Sequence, residues 1–166
     1  MPKSSFRATR PYMPGYEMMF DENKKALPWS WASRCLSTSR NYWLATTRPD
    51  GRPHVMPVWG VWLDNNFYFS TGRQSRKSLN ITADPRCTVC PETASEAVIL
   101  EGDARKVTST TQLRTFKAEY EKKYNWDIGA VEKSKDPFYS VKPRVVFGFV
   151  ESSKKIKGNP TRWIFR

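Results

Sequence analysis

The chain has 166 residues, of which 28 are lysine or arginine and 16 are aspartate or glutamate, so its net charge is +12. This length predicts a single domain, and a content of 39% hydrophobic and 14% aromatic residues excludes wholesale disorder because it supplies enough apolar surface for a core. No apolar stretch approaches the ~20 residues of a membrane-spanning helix, which excludes a helical membrane protein.

The charge and the N-terminal segment narrow the environment and the partners. Lys3 and Arg7 give a basic start, but no apolar stretch of the kind found in secretory signals follows them, which predicts a cytoplasmic protein. The three cysteines, an odd number, favour reduced thiols over a disulfide framework. The positive charge predicts an anionic partner, and nucleic acid, an acidic membrane surface and a phosphorylated cofactor all have the required sign.

The first predicted elements are an arm and a short helix. Residues 1–27 show no apolar period, so we expect an irregular arm before one domain over residues 28–166. Pro28 lies at the start of a predicted helix that runs to Leu36, because proline is favoured at the first helical position.

A three-stranded meander is predicted next. Its strands are Tyr42–Thr47, His54–Leu63 and Phe67–Thr71, and the proline and glycine of Arg48–Gly51 form the first turn. The strand His54–Leu63 is apolar at both alternate sets of positions, which predicts that both of its faces are covered.

A helix and two strands follow. Ser75 is a good N-cap for a helix that ends near Ala83, and strands are predicted at Arg86–Val89 and Ala97–Thr108. Gly102 interrupts the second of these strands and predicts a bulge or a bend of a barrel.

The last part of the chain alternates helix, loop and strand. Ser109 and Gln112 form a capping box for an amphipathic helix of about four turns. Residues 125–144 are predicted to be mostly loop, before a closing strand at Val145–Val150 and a terminal segment Pro160–Phe165. Six or seven short strands with a few helices predict a small, mostly antiparallel barrel with a β-rich α+β fold.

The clearest chemical signal lies where the third strand meets the second helix. Ser70 and Thr71 end the strand, a glycine follows, and Ser75 caps a helix whose first turn holds Arg76 and Lys77. Free N–H groups, the helix dipole and the two cations together predict a phosphate site. The alternative is a solvated helix start that is merely basic.

Several motifs also occur in a characteristic order. In chain order they are Leu44–Val58, Phe67–Thr71, Ser75–Asn80, Asp84–Arg86, Glu101–Ala104 and Thr161–Phe165. Together they resemble the pyridoxamine 5'-phosphate oxidase-like superfamily of split-barrel flavin and deazaflavin proteins, over roughly residues 28–166. The resemblance implies a mostly β fold, an antiparallel split barrel of six or seven strands with short peripheral helices. It also implies a homodimer with two cofactor sites at the subunit interface.

The resemblance carries three groups of residues into the cofactor site. The group for the cofactor phosphate is Ser75, Arg76 and Lys77, with Ser70 and Thr71 beside it for the phosphate or the ribityl chain. The group that faces the ring through its backbone is Val55, Met56, Pro57 and Val58, next to His54. The group that the partner subunit adds is Arg162 and Trp163.

The implied cofactor is FMN, the more widespread of the two, with the deazaflavin coenzyme F-420 as the alternative because the ring-facing residues do not separate them. A basic stretch at Lys154, Lys155 and Lys157 either contacts the acidic tail of a deazaflavin or is a solvated loop, which is favoured. The implied function is a flavin-nucleotide-dependent oxidoreductase that moves hydride to or from a small substrate, with the chemistry supplied by the cofactor.

The chain departs from the pyridoxamine phosphate oxidases proper at two places. Those enzymes carry an arginine in the strand after the Gly-x-Pro turn, and the matching stretch His54–Val58 has none. They also end in an Arg-x-His signature, whereas the only histidine here is His54. Both differences argue against vitamin B6 oxidation.

The sequence also contains features of metal-binding, haem-binding and nucleic-acid-binding proteins. Cys87 and Cys90 have the spacing of a zinc half-site or a redox pair, but no second pair completes four ligands, so two core thiols and no metal are predicted. His54 is compatible with a haem ligand, although a packed histidine is favoured. A non-catalytic carrier of flavin or haem leaves the same sequence pattern. Nucleic-acid binding is the competing class, and it is disfavoured because the basic residues form no dense stripe.

Overall fold

The computed structural model describes residues 5–17, 20–151 and 159–166, so the basic stretch at Lys154, Lys155 and Lys157 lies outside the described residues. The described part contains nine β-strands and three α-helices. In chain order they are β1 (Phe6–Thr9), α1 (Trp29–Thr38), β2 (Tyr42–Thr47), β3 (Pro53–Val58), β4 (Gly60–Leu63), β5 (Asn66–Ser70), α2 (Arg76–Ala83), β6 (Arg86–Pro91), β7 (Glu96–Lys106), α3 (Thr110–Tyr124), β8 (Phe138–Val150) and β9 (Thr161–Phe165). None of the described helices has the length and apolarity to cross a bilayer.

The strands form one antiparallel sheet that bends round on itself. The hydrogen-bonded order runs β1-β9-β8-β7-β6-β2-β3, and β8 pairs also with β5, which pairs with β4. Trp59 alone separates β3 from β4, so the path β3-β2-β6-β7-β8-β5-β4 returns to its start through the backbone at Trp59. This arrangement confirms the predicted mostly β split barrel. The strand count rises to nine because His54–Leu63 is interrupted and because β1 was not expected.

The interruption at Trp59 follows from contacts made by α3. The Gly60 N–H donates to the Tyr124 hydroxyl at 2.8 Å, and the Gly60 carbonyl accepts from the Lys123 ammonium at 2.9 Å. A side chain at position 60 would collide with the Phe67 ring. The backbone of Gly60 is therefore held close to α3 and β5, and β4 no longer pairs with β2.

In the single chain both faces of β3 are partly uncovered, contrary to the expectation for His54–Leu63. Val55 is 51% exposed and Met56 is 43% exposed. Met56 lies opposite Leu44, so the two side chains are on the same face of the sheet. Leu44 is fully buried while Met56 is not, so the core covers this face at β2 but not at β3. Among the described residues β3 pairs only with β2, and its other edge is open.

The N-terminal arm is not irregular throughout. Its β1 pairs with β9, with Phe6 opposite Phe165. Trp29 packs against both rings, with centroids 5.5 Å from Phe6 and 5.0 Å from Phe165. The division into an arm over residues 1–27 and a domain over residues 28–166 stays a prediction.

The predicted loop over residues 125–144 ends too late, because β8 begins at Phe138. Pro143 argued for a loop, but it lies opposite Gly102, next to the place where the β7–β8 register shifts between Glu101 and Gly102. An irregular ladder position tolerates a residue without an N–H group. The irregularity predicted at Gly102 is present, and the extra residue is Arg144 on the facing strand β8.

Both predicted helix N-caps are present. The Ser75 hydroxyl accepts from the Ser78 N–H at 3.3 Å, and the Ser109 hydroxyl accepts from the Gln112 N–H at 3.4 Å. Helix α3 buries Leu113 and Phe116 in a small cluster outside the barrel. The main core lies inside the sheet, where Leu44, Phe67, Val89, Leu100 and Trp163 are almost fully buried.

Candidate functional site

The end of β5 and the start of α2 form a compact cluster of hydroxyl groups. The Thr71 and Ser75 hydroxyl oxygens are 3.1 Å apart, and the Ser75 N–H donates to the Gly72 carbonyl at 2.9 Å. The Ser70 hydroxyl donates to the carbonyl of Pro137 at 3.1 Å, which ties the end of β5 to the segment before β8. These contacts fix three hydroxyl groups at the N-terminus of a helix.

The cations beside this cluster are not neutralised by the protein. Arg76 and Lys77 form no ion pair with any carboxylate in the described part of the chain. Arg76 is exposed, whereas Lys77 is half-buried, and partial burial lowers the pKa of Lys77. A half-buried cation without a counter-charge at a helix N-terminus favours an anionic ligand.

His54 lies within the electrostatic field of the same cations. Desolvation lowers the pKa of His54, and the charges of Arg48, Lys77 and Arg76 lower it further, in that order. The His54 Nδ1 atom is 3.4 Å from the Thr46 hydroxyl. The imidazole is therefore neutral at pH 7 and stands close to the basic cluster.

A cleft joins this cluster to the end of β3. Its volume is about 460 Å³, and it is lined by Asn41, Pro57, Val58, Trp59, Ser70, Thr71, Lys77 and Tyr120. The structure thus brings residues from two of the three predicted groups into one cavity. Ser75 is tied to this lining through Thr71, and Arg76 precedes Lys77 on α2.

Of two larger clefts, the one of about 530 Å³ is lined mainly by β2, β6 and β7, and the one of about 570 Å³ mainly by β8 and β9. Neither contains a predicted site residue. Two of their arginines already have counter-charges, since Arg86 lies 2.6 Å from Asp84 and Arg144 lies 3.7 Å from Asp103. Cations such as Arg105 and Lys142 also line the cleft of about 570 Å³ without an ion pair in the described part of the chain. The smaller cleft is the better candidate for an anionic ligand because it unites residues of the predicted phosphate and ring groups.

The predicted residues of the third group are not in this cleft of the same chain. The Arg162 Nε–H donates to the Thr9 hydroxyl at 3.0 Å, on the side of β9 that pairs with β1. Trp163 is only 1% exposed, and its ring centroid is 6.5 Å from that of Trp31. Trp163 therefore anchors β9 in the core of its own chain, and the contribution of this segment to a partner's site stays a prediction.

Sequence reasoning missed Asn41, Trp59 and Tyr120. Trp59 was assigned to a covered strand and Tyr120 to the buried face of α3, because aromatic residues at those spacings usually lie in a core. The Trp59 indole N–H donates to the Asn41 side-chain oxygen at 3.1 Å. The sequence did contain one indication of a role for Trp59, because it directly follows Val58, the last residue expected to face the ring.

The two cysteines of the Cys-x-x-Cys spacing lie in β6, as predicted. Cys87 is buried and Cys90 is half-buried, and both are free. Burial raises the pKa of both thiols, to about 12 for Cys87. Neither thiol is an activated nucleophile.

A half-buried lysine supports the wall of the cleft that contains Trp59. The Lys123 ammonium donates to the Tyr42 hydroxyl at 2.7 Å and to the Gly60 carbonyl at 2.9 Å. Desolvation lowers the pKa of Lys123 to about 8. Burial raises the pKa of Tyr124 to about 12 and also raises that of Tyr42.

The lowered pKa of Lys123 predicts a rise of stability with pH. Between pH 8 and about 10.4, the ordinary pKa of lysine, the unfolded chain binds a proton that the folded chain has released, so this group makes the free energy of unfolding increase with pH. Its slope is at most about 1.4 kcal/mol per pH unit. Urea unfolding of wild type and Lys123→Met from pH 7.5 to 10 gives the free energy of unfolding of each protein as a function of pH. The difference between the two proteins measures the contribution of Lys123.

The exposed neighbour Lys122 supplies the control for this measurement. Lys122→Met removes a lysine from the same turn of α3, and we expect it to keep the wild-type pH dependence. A constant difference between wild type and Lys123→Met across this pH range would contradict the prediction.

Solved structures share this fold. A conserved hypothetical protein from Mycobacterium tuberculosis superimposes with a TM-score of 0.68 and 20% identity, over 82% of this chain and 93% of its own. An F420 reductase superimposes with a TM-score of 0.56 and 20% identity, over 69% of this chain and 94% of its own. The haem storage protein HutZ from Vibrio cholerae superimposes with a TM-score of 0.56 and 14% identity, over 69% of this chain and 86% of its own. Identities this low show the shared fold alone.

Sequence comparison adds the family. No curated protein matches this sequence. The family model described as pyridoxamine 5'-phosphate oxidase matches residues 32–147, which include β2 to β7, α2 and α3, and all of the cleft. The chain therefore belongs to the pyridoxamine 5'-phosphate oxidase family.

Proposed function

We propose that the chain binds a flavin nucleotide in the cleft between β3, β5 and α2, and that it serves hydride transfer to or from a small substrate. The observation that carries this proposal is the position of Lys77. Its ammonium has no counter-charge among the described residues and lines the same cleft as Pro57 and Val58 of β3. Lys77 and the hydroxyl groups of the lining suit a phosphate, and Pro57 and Val58 offer an apolar surface.

The part of the cleft near Lys77 fits the anion of FMN. A phosphate placed there would receive charge from Lys77 and Arg76 and a hydrogen bond from whichever of the Thr71 and Ser75 hydroxyls does not donate to the other. No carboxylate lines the cleft to repel it. The N-terminus of α2 adds its dipole with the same sign.

The part of the cleft at Pro57 and Val58 fits a flat, largely apolar group. Pro57 lines the cleft and is exposed in the single chain, as are Val55 and Met56 outside the lining, and the open edge of β3 carries no further strand among the described residues. A bound ring covers apolar surface of this kind at about 25 cal/mol per Å². His54, neutral and half-buried beside Arg76 and Lys77, is a candidate hydrogen-bonding group for the cofactor.

A homodimer with the cofactor at its interface is part of the proposal. Trp43 and Pro57 lie directly opposite each other, as do Ala45 and Val55, so these four residues share the outer face of the β2–β3 hairpin. Trp43 is 49% exposed in the single chain. Exposed apolar faces of this kind are typical of protein interfaces. Arg162 of the partner subunit is proposed to reach the site from β9.

The chemistry is that of the bound cofactor, because flavins transfer hydride without a catalytic side chain. The described residues supply binding, orientation and exclusion of water. The stretch His54–Val58 lacks an arginine, and His54 is the only histidine, so vitamin B6 oxidation is not proposed.

Two related cofactors are the alternatives. The fold shared with an F420 reductase supports a deazaflavin, which offers the same phosphate and a similar ring. The fold shared with a haem storage protein supports haem, for which His54 is the candidate ligand. A non-catalytic flavin carrier needs the same site, and nucleic-acid binding is the alternative from a different class.

Absorbance spectra of the purified protein, followed by separate titrations with FMN, riboflavin, the deazaflavin coenzyme and haem, test the proposal. We expect saturable uptake of FMN and weaker binding of riboflavin, which lacks the phosphate. Equal affinity for FMN and riboflavin would contradict the phosphate site. Uptake of haem alone would contradict the flavin function. If the protein takes up no flavin, deazaflavin or haem but forms a salt-dependent complex with an oligonucleotide, nucleic-acid binding would be favoured.

A further inference from the structure

The cleft that contains Lys77 is also lined by aromatic side chains. Trp59 lies at the joint between β3 and β4, and Tyr120 comes from the last turns of α3. Their ring centroids are 6.3 Å apart, with planes inclined at 54°. The cleft therefore combines an aromatic wall with a cation and hydroxyl groups.

The Trp59 ring is held rigidly. It stacks on Tyr124 with centroids 4.5 Å apart and planes inclined at only 7°. The Tyr124 hydroxyl is itself fixed, since it accepts from the Gly60 N–H at 2.8 Å and lies 2.7 Å from the Arg40 carbonyl. The indole plane is thus set on one side by Tyr124, which two hydrogen bonds hold in place.

The indole edge is fixed as well. Its N–H donates to the Asn41 side-chain oxygen at 3.1 Å, and the Asn41 side-chain NH₂ donates to the Glu92 carboxylate at 2.7 Å. This chain of contacts orients the Asn41 amide, because its oxygen must face Trp59 while its nitrogen faces a carboxylate. Trp59 has little freedom to rotate.

Trp59 nevertheless remains 37% exposed. Because Tyr124 covers one face of the indole, this exposure lies away from Tyr124. A rigid and exposed indole at the rim of a cleft offers a stacking surface at low entropic cost, since no rotamer freedom is lost when a ligand arrives.

We propose that Trp59, flanked by Tyr120, is the stacking platform for the planar ring of the ligand whose phosphate lies at Lys77. This inference rests on the proposed flavin function and deepens it. It extends the ring-binding segment of β3 by one residue, from Val58 to Trp59. It also gives α3 a part in the site, because Tyr124 and Tyr120 set and flank the platform.

The ligand class follows from the lining of the cleft. Its residues include one cation, Lys77, and no carboxylate, so a ligand with anionic charge at one end is accepted. The electron-rich indole face favours an electron-poor, flat heteroaromatic ring over an aliphatic one. A phosphate and an electron-poor ring on one molecule are the features of FMN and of the deazaflavin coenzyme.

The test compares the variant Trp59→Leu with Trp126→Leu in FMN titrations followed by flavin fluorescence. Trp126 is 61% exposed in the loop after α3 and does not line the cleft, so it is a matched control. We expect wild type and Trp126→Leu to quench bound FMN strongly, because a stacked indole donates an electron to the excited flavin. Trp59→Leu should bind FMN about tenfold more weakly and leave its emission largely unquenched.

A second variant keeps the test valid if Trp59→Leu does not fold. Trp59→Phe retains a ring against Tyr124, and we expect it to bind FMN with intermediate affinity but with much less quenching than wild type. The same titrations are run with the deazaflavin coenzyme as the probe.

The outcomes separate the two proposals. If wild type binds FMN and both Trp59 variants match it in affinity and quenching, the platform is wrong and the flavin function stands. If the Trp59 variants change the oligomeric state but not FMN quenching, Trp59 belongs to a subunit interface and the platform is also wrong. If wild type takes up neither coenzyme, both proposals fail.

Discussion

Replacing Arg76 and Lys77 together with alanine is expected to weaken FMN binding by several kcal/mol. Each charge-assisted hydrogen bond to a phosphate contributes about 1.5–3 kcal/mol, and both cations stand at the N-terminus of α2 without a counter-charge among the described residues. The barrel should remain folded, because Arg76 is exposed and Lys77 only half-buried. Equilibrium titration with FMN and circular dichroism of the variant measure the two effects.

A matched control separates a phosphate site from general attraction of anions. Arg105 and Lys106 are consecutive exposed residues of β7 outside the cleft, so replacing both with alanine removes the same net charge. We expect this control to bind FMN like wild type. Riboflavin, which has no phosphate, should bind equally to wild type and to the Arg76/Lys77 variant. Unchanged FMN affinity in the Arg76/Lys77 variant would overturn the phosphate assignment.

The substitution Gly102→Ala is expected to cause the largest loss of stability. A methyl group at this position would collide with the Lys142 carbonyl and approach the Val141 side chain to 3.0 Å. The first obstacle is backbone of the longest strand and cannot rotate away, so β7 and β8 must separate at the bulge. We expect the free energy of unfolding to fall by about 3 kcal/mol, a value typical of severe overpacking.

Denaturant unfolding of Gly102→Ala beside Gly72→Ala checks this expectation. At Gly72 the nearest atom to an added methyl group is the Asp136 Oδ1 atom at 3.9 Å, so the substitution there is expected to be nearly neutral. Equal midpoints for the two variants would show that the bulge adapts to a side chain. Folded Gly102→Ala should keep its FMN affinity, because Gly102 does not line the cleft.

The features that sequence alone predicted are those with a local cause. Ser75 and Ser109 cap helices through contacts three residues away, and Gly102 marks a bulge because a side chain there would meet the neighbouring strand. The basic cluster at Arg76 and Lys77 was visible because a strand end, a glycine and a helix cap follow one another directly. The ordered motifs then supplied the barrel, which no single local signal contains.

The features that sequence missed depend on distant partners. β1 exists because β9 offers it an edge, and the 153-residue separation between Thr9 and Arg162 leaves no local trace. The start of β8 at Phe138 was hidden by Pro143, whose tolerance depends on Gly102 in another strand.

The aromatic wall was missed for a related reason. An apolar strand pattern shows that a surface avoids water but not what covers it. The side chains of β3 and Trp59 were therefore assigned to a covered strand, although in the single chain they border a cleft.

The composition of β3 has a consequence for how copies of this chain associate. An open strand edge normally invites another strand to pair with it, which is the route to edge-to-edge aggregation. Pro53 and Pro57 lie at alternate positions of β3, so the backbone nitrogens of both face the same edge of the strand. Prolines in a strand are placed with the missing N–H on the unpaired edge. Of the three residues on that side, only Val55 retains a donor. This edge of β3 is therefore poorly suited to pairing with a strand from a second copy of the chain.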